Sequence, residues 1–201
     1  MPDRDQYKTI AKASEGVYRE KASKFISLAF PVSSQDEAME VLGRVRKQYF
    51  DASHHCFAYR LGTDGSVFRY SDDREPSGTA GRPIHGEIIS AGLTSIIIIV
   101  VRYFGGTKLG TGGLIHAYKE AARDALAKAT VVIRFQESRI KIEFDYEHIN
   151  DVMKIIKEEG GNILSQGIDN LSVVIFKIRA SSVARIIGRL QPYCNVVMPD
   201  N

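Results

Sequence analysis

Cysteine is scarce in this chain of 201 residues: Cys56 and Cys194 are the only two, they lie far apart, and no CxxC pair occurs. Neither a disulfide framework nor a zinc module can be built from them. Long apolar runs are lacking as well. The longest, Ile96 to Val101, covers six residues, against the roughly 20 that a membrane-spanning helix needs. The opening MPDRDQYKTIAK holds no apolar signal-peptide core, so a soluble, cytoplasmic protein without a membrane partner is expected. Net charge is nearly absent. The 27 basic and 24 acidic residues leave +3, so any contact with nucleic acid must come from a local basic patch rather than from the field of the whole molecule. Residues 138–201 balance 8 Lys and Arg against 8 Asp and Glu, which places the whole excess before them. A hydrophobic content of 44% suffices for a core, in one large domain or two small ones.

What the chain does have is an α+β pattern with a change of grammar near residue 136. Apolar stretches between Val17 and Val32 flank Lys21 to Lys24 and read as two strands around a turn. Ser34 and Glu37 stand at capping-box spacing before a helical face of Ala38, Val41, Leu42, Val45 and Tyr49. Cys56 to Leu61 and Val67 to Tyr70 read as a hairpin around Gly62 to Gly65. A short helix from about Pro83 to Ala91, a long one after Gly113 to about Lys128, and a strand at Val131 to Phe135 complete the first part. Beyond Gln136 two similar halves follow. Each has an alternating strand, a helical face and a second strand, with Gly160 and Gly161 at a helix end, Asp169 and Asn170 at a turn, and Asn195 to Met198 closing the pattern. A split βαβ, ferredoxin-like domain over 138–201 is the simplest account, preceded by a domain over 1–136.

The most informative segment is IIIIVVRYFGGTKLGTGG, Ile96 to Gly113, in which six β-branched residues run into a glycine-rich, partly cationic loop. The unbroken run suits a strand buried on both faces. Gly105, Gly106, Gly110, Gly112 and Gly113 precede the helical spacing of Leu114, Ala117, Tyr118, Ala121 and Ala125, so free N–H groups and a helix dipole would gather there to receive an anion. Arg102 and Lys108 supply cations, and Tyr103 with Phe104 supplies rings for stacking. The loop is neither a Walker A sequence nor a GxGxxG fingerprint. In SDDREPSGTAGRP, Ser71 to Pro83, three carboxylates (Asp72, Asp73, Glu75) stand beside Arg74, Arg82, Ser77 and Thr79. Such a cluster can orient arginines or hold Mg²⁺, and no nucleophile with a partner base accompanies it. His54, His55 and Cys56 are contiguous, so on a strand they cannot all share a metal, whereas one histidine can point at the glycine loop.

Taken together, ASHHCFAYR (52–60), SDDREPSGTAGRP (71–83) and VVRYFGGTKLGTGGLIHAY (100–118) resemble the signature segments of the Impact/YigZ family. The resemblance implies a ribosomal protein S5 domain 2-like N-terminal domain, and a ferredoxin-like C-terminal domain similar to the last domain of translation elongation factor G. Eukaryotic Impact proteins regulate translation under amino-acid stress, while the two-domain bacterial type is suspected of binding nucleic acid or the ribosome. Arg74 stands where the family pattern has glycine, and His116 where it has arginine. The expected function is a translation-associated regulator or accessory factor, not an enzyme, that binds RNA, the ribosome or a ribosome-associated protein. Its site is expected to combine Arg102, Tyr103, Gly105, Gly106, Lys108, Gly110, Gly112 and Gly113 with Asp72, Asp73, Glu75, Ser77, Thr79, Arg82 and His54. No catalytic residue, metal ligand or cofactor is assigned, and self-association is left open. Two rivals remain: an enzyme taking a nucleotide or phosphorylated metabolite in the same cleft, and a protein-interaction module that needs no phosphate.

Overall fold

A computed structural model describes residues 5–168 and 171–197; the turn at Asp169 and Asn170, and Met198, lie outside them. In chain order the elements are β1 (Gln6–Ile10), β2 (Ser14–Glu20), β3 (Ser23–Pro31), α1 (Gln35–Gln48), β4 (His54–Leu61), β5 (Val67–Ser71), α2 (Gly81–Ser90), β6 (Ile96–Tyr103), α3 (Gly110–Ala127) and β7 (Val131–Phe135), followed by β8 (Glu137–Phe144), α4 (Ile149–Glu158), β9 (Asn162–Ile168), β10 (Ser172–Arg179), α5 (Val183–Leu190) and β11 (Asn195–Val197). The chain divides into two compact units, Tyr7–Arg134 and, separately, Phe135 onward with the residues through Gln6.

In the first unit β6 is the middle strand of an antiparallel sheet ordered β2-β3-β6-β4-β5. Its six branched residues have no exposed surface, each burial being worth about 1.5–3 kcal/mol. The two-residue period sends Ile96, Ile98 and Val100 into one core with α2 and α3, and Ile97, Ile99 and Val101 into another with Ala38, Val41, Leu42 and Val45 of α1. Ser34 caps α1 by accepting from the Glu37 N–H at 3.1 Å. The Glu37 carboxylate reaches past the expected capping-box partner to the Ser33 N–H, 2.7 Å away, and that bond holds its pKa below the usual range. On the opposite face α3 lies tight against β2. Its buried Ala117, Ala121, Ala122 and Ala125 permit the approach, and a Cβ on Gly16 would collide with the backbone of Asp124 and Ala125. Ser14 Oγ donates to the Ala125 carbonyl at 2.9 Å and the Val17 N–H to the Asp124 carboxylate at 2.8 Å. These contacts fix the C-terminal end of α3 against β2. The helix starts at Gly110, four residues before Leu114, where its apolar face begins, because Gly110, Gly112 and Gly113 all join its first turn. β7 forms as expected but pairs with β1 in a separate two-stranded sheet.

The second unit runs β8-α4-β9-β10-α5-β11 with sheet order β11-β8-β10-β9. Alternate residues Ile140, Ile142 and Phe144 of β8, and Val174, Phe176 and Ile178 of β10, form one core with Val152 and Ile156 of α4 and Ile186 and Leu190 of α5. Gly160, at φ 75°, ends α4. The Gly161 N–H returns to the Ile156 carbonyl at 2.8 Å and the Gly160 N–H to Lys157 at 3.1 Å, a Schellman closure.

Asp5, only 3% exposed, accepts from Arg179 Nη2 at 2.9 Å and from the Ser181 N–H at 3.1 Å. The Arg179 bond, then those from Ser181, hold its pKa well below the ordinary carboxylate value. A depressed folded-state pKa gives stability that is complete above the unfolded value and is lost as pH falls through the folded one. Asp5→Asn is therefore expected to lower the unfolding midpoint at pH 7, by about 2–4 °C for each kcal/mol removed. The difference from wild type should shrink below the ordinary value of 3.8. Thermal melts at pH 7, 4 and 2.5 check this, and a difference independent of pH would contradict it.

Candidate functional site: a cavity at the start of α3

The acidic loop is organised from within. Asp72 Oδ1 accepts from the N–H groups of Ala80 and Gly81 at 2.9 and 2.8 Å, and Oδ2 from Gly78 at 2.9 Å. It thereby caps α2, whose N-cap residue Ala80 offers no side-chain hydrogen bond of its own. Asp73 Oδ2 accepts the His55 N–H at 2.6 Å, and Asp73 and Arg74 both stand in the left-handed region, at φ 38° and 71°. Glycine would suit that conformation at position 74 better than arginine does. Thr79 Oγ1 donates to the Pro76 carbonyl at 2.6 Å and is buried, while Ser77 is exposed.

Glu75 turns inward. Its side chain is 4% exposed, and Oε1 accepts from Arg102 Nη1 at 2.6 Å and from Tyr118 Oη at 2.7 Å. The Arg102 guanidinium lies 5.3 Å from the Phe25 ring and 5.5 Å from that of Phe104, and its buried Nε has no hydrogen-bond partner among the described residues. Cys56 Sγ sits 3.2 Å from Tyr118 Oη and 3.0 Å from the Asp72 carbonyl. Burial pushes both the Cys56 thiol and the Tyr118 phenol up, so the thiol stays protonated and inert as a nucleophile. His54 Nδ1 lies 2.8 Å from the Asp73 carbonyl, which can only accept. Nδ1 therefore carries the proton, and Nε2 faces Glu75 Oε1 at 3.8 Å. His55 points to the other face, where Nε2 meets the Tyr49 carbonyl at 3.0 Å and burial lowers its pKa.

Around this buried network opens a cavity of about 410 Å³ lined by His54, Glu75, Pro76, Arg102, Phe104, Lys108, Leu109, Gly110, Thr111 and Leu114. The first turn of α3 has neither a side-chain cap nor an acidic residue. Its leading N–H groups have no carbonyl one turn earlier to bond, and the positive end of the dipole lies there. Lys108 is exposed beside them.

Several residues expected here serve other ends. Arg102 is not a free cation, because Glu75 neutralises it. Tyr103 points to the α1 face and donates to Asp51 Oδ1 at 2.8 Å. The Gly105 N–H donates to Ser23 Oγ at 3.1 Å, and a Cβ there would collide with the backbone of Ala22 and Ser23. Gly106 has φ 83° and Gly110 φ 73°, so both serve the turn into α3. Gly113 packs beside Leu109, while Gly112 has open space around it. Arg82 belongs to a different hollow, shared with Glu87 and Lys119. Asp72, Asp73 and Glu75 each have a separate duty, and among the described residues no His, Cys, Asp and Glu gather as a metal site. Sequence reasoning missed Tyr118 and Phe25 as parts of the site. A tyrosine on a buried helical face signals a hydroxyl that needs a partner, and here that partner is a buried carboxylate.

The family model described as the Impact N-terminal domain matches residues 21–126, which include the whole cavity. The chain belongs to the Impact family. It is 29% identical to the IMPACT family member YigZ of Escherichia coli over 86% of each chain. It is 35% identical to the IMPACT family member YvyE of Bacillus subtilis over 76% of this chain and 70% of that one. A solved structure described as a hypothetical protein covers 98% of both chains with a TM-score of 0.75 at 27% identity. In this Impact-family chain the motif segments thus divide their work: the acidic loop braces Arg102 and α2, and the loop from Phe104 to Thr111 shapes the cavity.

Proposed function

We propose that this Impact-family protein is a cytoplasmic, translation-associated regulator or accessory factor that seats a phosphate group of RNA at the start of α3. The reading rests on one observation: the uncapped first turn of α3 opens on a cavity beside Lys108, a cation in no ion pair among the described residues. Helix N–H groups and a lysine together suit a phosphate, which positions a strand without reading its sequence. Arg102 and Glu75 act behind this surface by holding the Phe104 end of the loop in place. We also assign the first unit to the S5 domain 2-like fold and the second to the ferredoxin-like fold, with the boundary near residues 136–138; sheet order β11-β8-β10-β9 supports the latter.

Filter binding to a structured RNA, with co-sedimentation on purified ribosomes, tests the reading. Affinity should fall steeply between 50 and 200 mM salt, and Lys108→Ala should weaken binding while lowering the salt slope by about 1. No salt-sensitive association with either partner, or none that Lys108→Ala alters, would remove it. The cavity's apolar lining of Phe104, Leu109 and Leu114, with His54 beside it, favours a second reading, a site for a phosphorylated small molecule. A thermal-shift panel of nucleotides with Mg²⁺ separates the two, since a ligand at 100 times its Kd stabilises the fold by about 2.7 kcal/mol.

A further inference from the structure

Among the described residues β9 is an outer strand of the four-stranded sheet, and of the devices that keep outer strands from pairing it carries only a bulge. Natural edges are blunted by shortness, by charge, by proline or by bulges. The opposite edge, β11, is only three residues long. In the first unit β2 carries Glu15, Arg19 and Glu20, and β5 carries Arg69. The seven residues of β9, Asn-Ile-Leu-Ser-Gln-Gly-Ile, include no charge and no proline. One irregularity interrupts it, a register shift against β10 that leaves Leu164 as an extra residue. From Ser165 to Ile168 the register is regular again, and alternate N–H and C=O groups along that stretch point outward, where the sheet supplies no strand to meet them.

The side chains beside this edge are also open. Ile163 and Leu164 are 38% and 45% exposed. Ile163 stands opposite Phe176, a residue of the core shared with α4, so it turns to the α4 side of the sheet. There, with Met153, it lines an open hollow of about 640 Å³ that also holds Lys154 and Lys157. Neither lysine makes an ion pair within 4.0 Å among the described residues, although Lys154 lies close enough to Glu158 to help lower its pKa.

We infer that β9 is a strand-addition site, at which an extended acidic segment of a partner protein pairs as a fifth strand and sets its carboxylates against Lys154 and Lys157. Main-chain hydrogen bonds supply the affinity in such a mode, and alternate side chains supply the choice of partner. The lysines select for acid, since opposite charge steers the encounter and like charge opposes it. A second copy of this chain meets the requirement poorly, because its β9 has no carboxylate to offer the facing lysines.

The test uses the full chain and two fluorescein-labelled octapeptides, one alternating valine with glutamate and one alternating valine with lysine. Anisotropy titrations should show the acidic peptide binding at least about tenfold more tightly. Amide exchange should slow over residues 163–168 when it binds. The double variant Lys154→Glu, Lys157→Glu, altered only at exposed positions, should reverse the preference. Equal affinity for both peptides, protection that avoids β9, no binding of either at millimolar peptide, or a chain that dimerises through β9 in sedimentation would each overturn the inference.

Discussion

Replacing Glu75 with alanine should lower the stability of the first unit by about 3–5 kcal/mol, the loss expected when one member of a buried ion pair is removed and the other charge stays behind. The substitution strands two donors at once. Arg102 Nη1 and Tyr118 Oη both bond Glu75 Oε1, at 2.6 and 2.7 Å, and Arg102 is only 5% exposed, so its charge stays largely buried when the carboxylate is gone. The rings of Phe25 and Phe104 cannot compensate, because a cation–ring contact contributes only about 0.5–2 kcal/mol.

Two companion variants separate the causes. Glu75→Gln keeps an acceptor for Tyr118 and removes the negative charge, so its loss should be intermediate. Glu75→Gln with Arg102→Met removes both charges and should recover much of what Glu75→Ala loses, since an apolar replacement for a whole buried pair is often close to neutral. Urea unfolding followed by tyrosine fluorescence and circular dichroism measures all three. A cost below about 1 kcal/mol for Glu75→Ala would place the carboxylate outside the structural network. Binding adds a second readout. With Glu75 present, the cavity's uncompensated positive charge is that of Lys108 and the helix end. Glu75→Gln should therefore free Arg102 for anions and raise RNA affinity while stability falls, a divergence that a purely misfolded protein would not show.

This pair also marks the boundary of what the sequence discloses. The β6 strand was legible because an unbroken β-branched run has no other stable home, and the second unit because its strands alternate and its helices keep an apolar face. The two-residue period, carried two positions further, would have separated Arg102 from Tyr103: Arg102 shares the parity of Ile98 and Val100 toward α3, and Tyr103 that of Ile99 and Val101 toward α1. By contrast, β1 was not legible. Gln-Tyr-Lys-Thr-Ile has a weak pattern, and its partner β7 lies more than a hundred residues away, so tertiary pairing decides it. The Glu75–Arg102–Tyr118 network joins three segments through contacts that no local pattern encodes. In the same way, an acidic cluster that reads as a metal or phosphate-bridging site divides into a helix cap, a strand brace and an ion pair.

Two glycines of the loop should respond to the same substitution with opposite signs. Gly105→Ala puts a Cβ into the carbonyl carbon of Ala22 and the nitrogen of Ser23. Both atoms belong to the backbone of the β2–β3 turn, where Lys21 and Ala22 already stand in the left-handed region at φ 43° and 63°. Such a turn cannot retreat as a flexible side chain would, so a cost of about 1–3 kcal/mol is expected, toward the upper end. The hydrogen bond from the Gly105 N–H to Ser23 Oγ would be disturbed with it. Gly112→Ala meets nothing within 4 Å and lies in the first turn of α3, where its φ is not positive. There alanine should stabilise by up to about 0.5–1 kcal/mol, because glycine loses the most backbone freedom in a helix. Urea denaturation of both variants checks the signs. Destabilisation by Gly112→Ala as large as by Gly105→Ala would mean that the helix start is held by contacts the structure does not contain. Opposite signs would mean that Gly105 is glycine for close packing against β3, which leaves the amides of Gly110 and its neighbours as the part of the loop free to meet an anion.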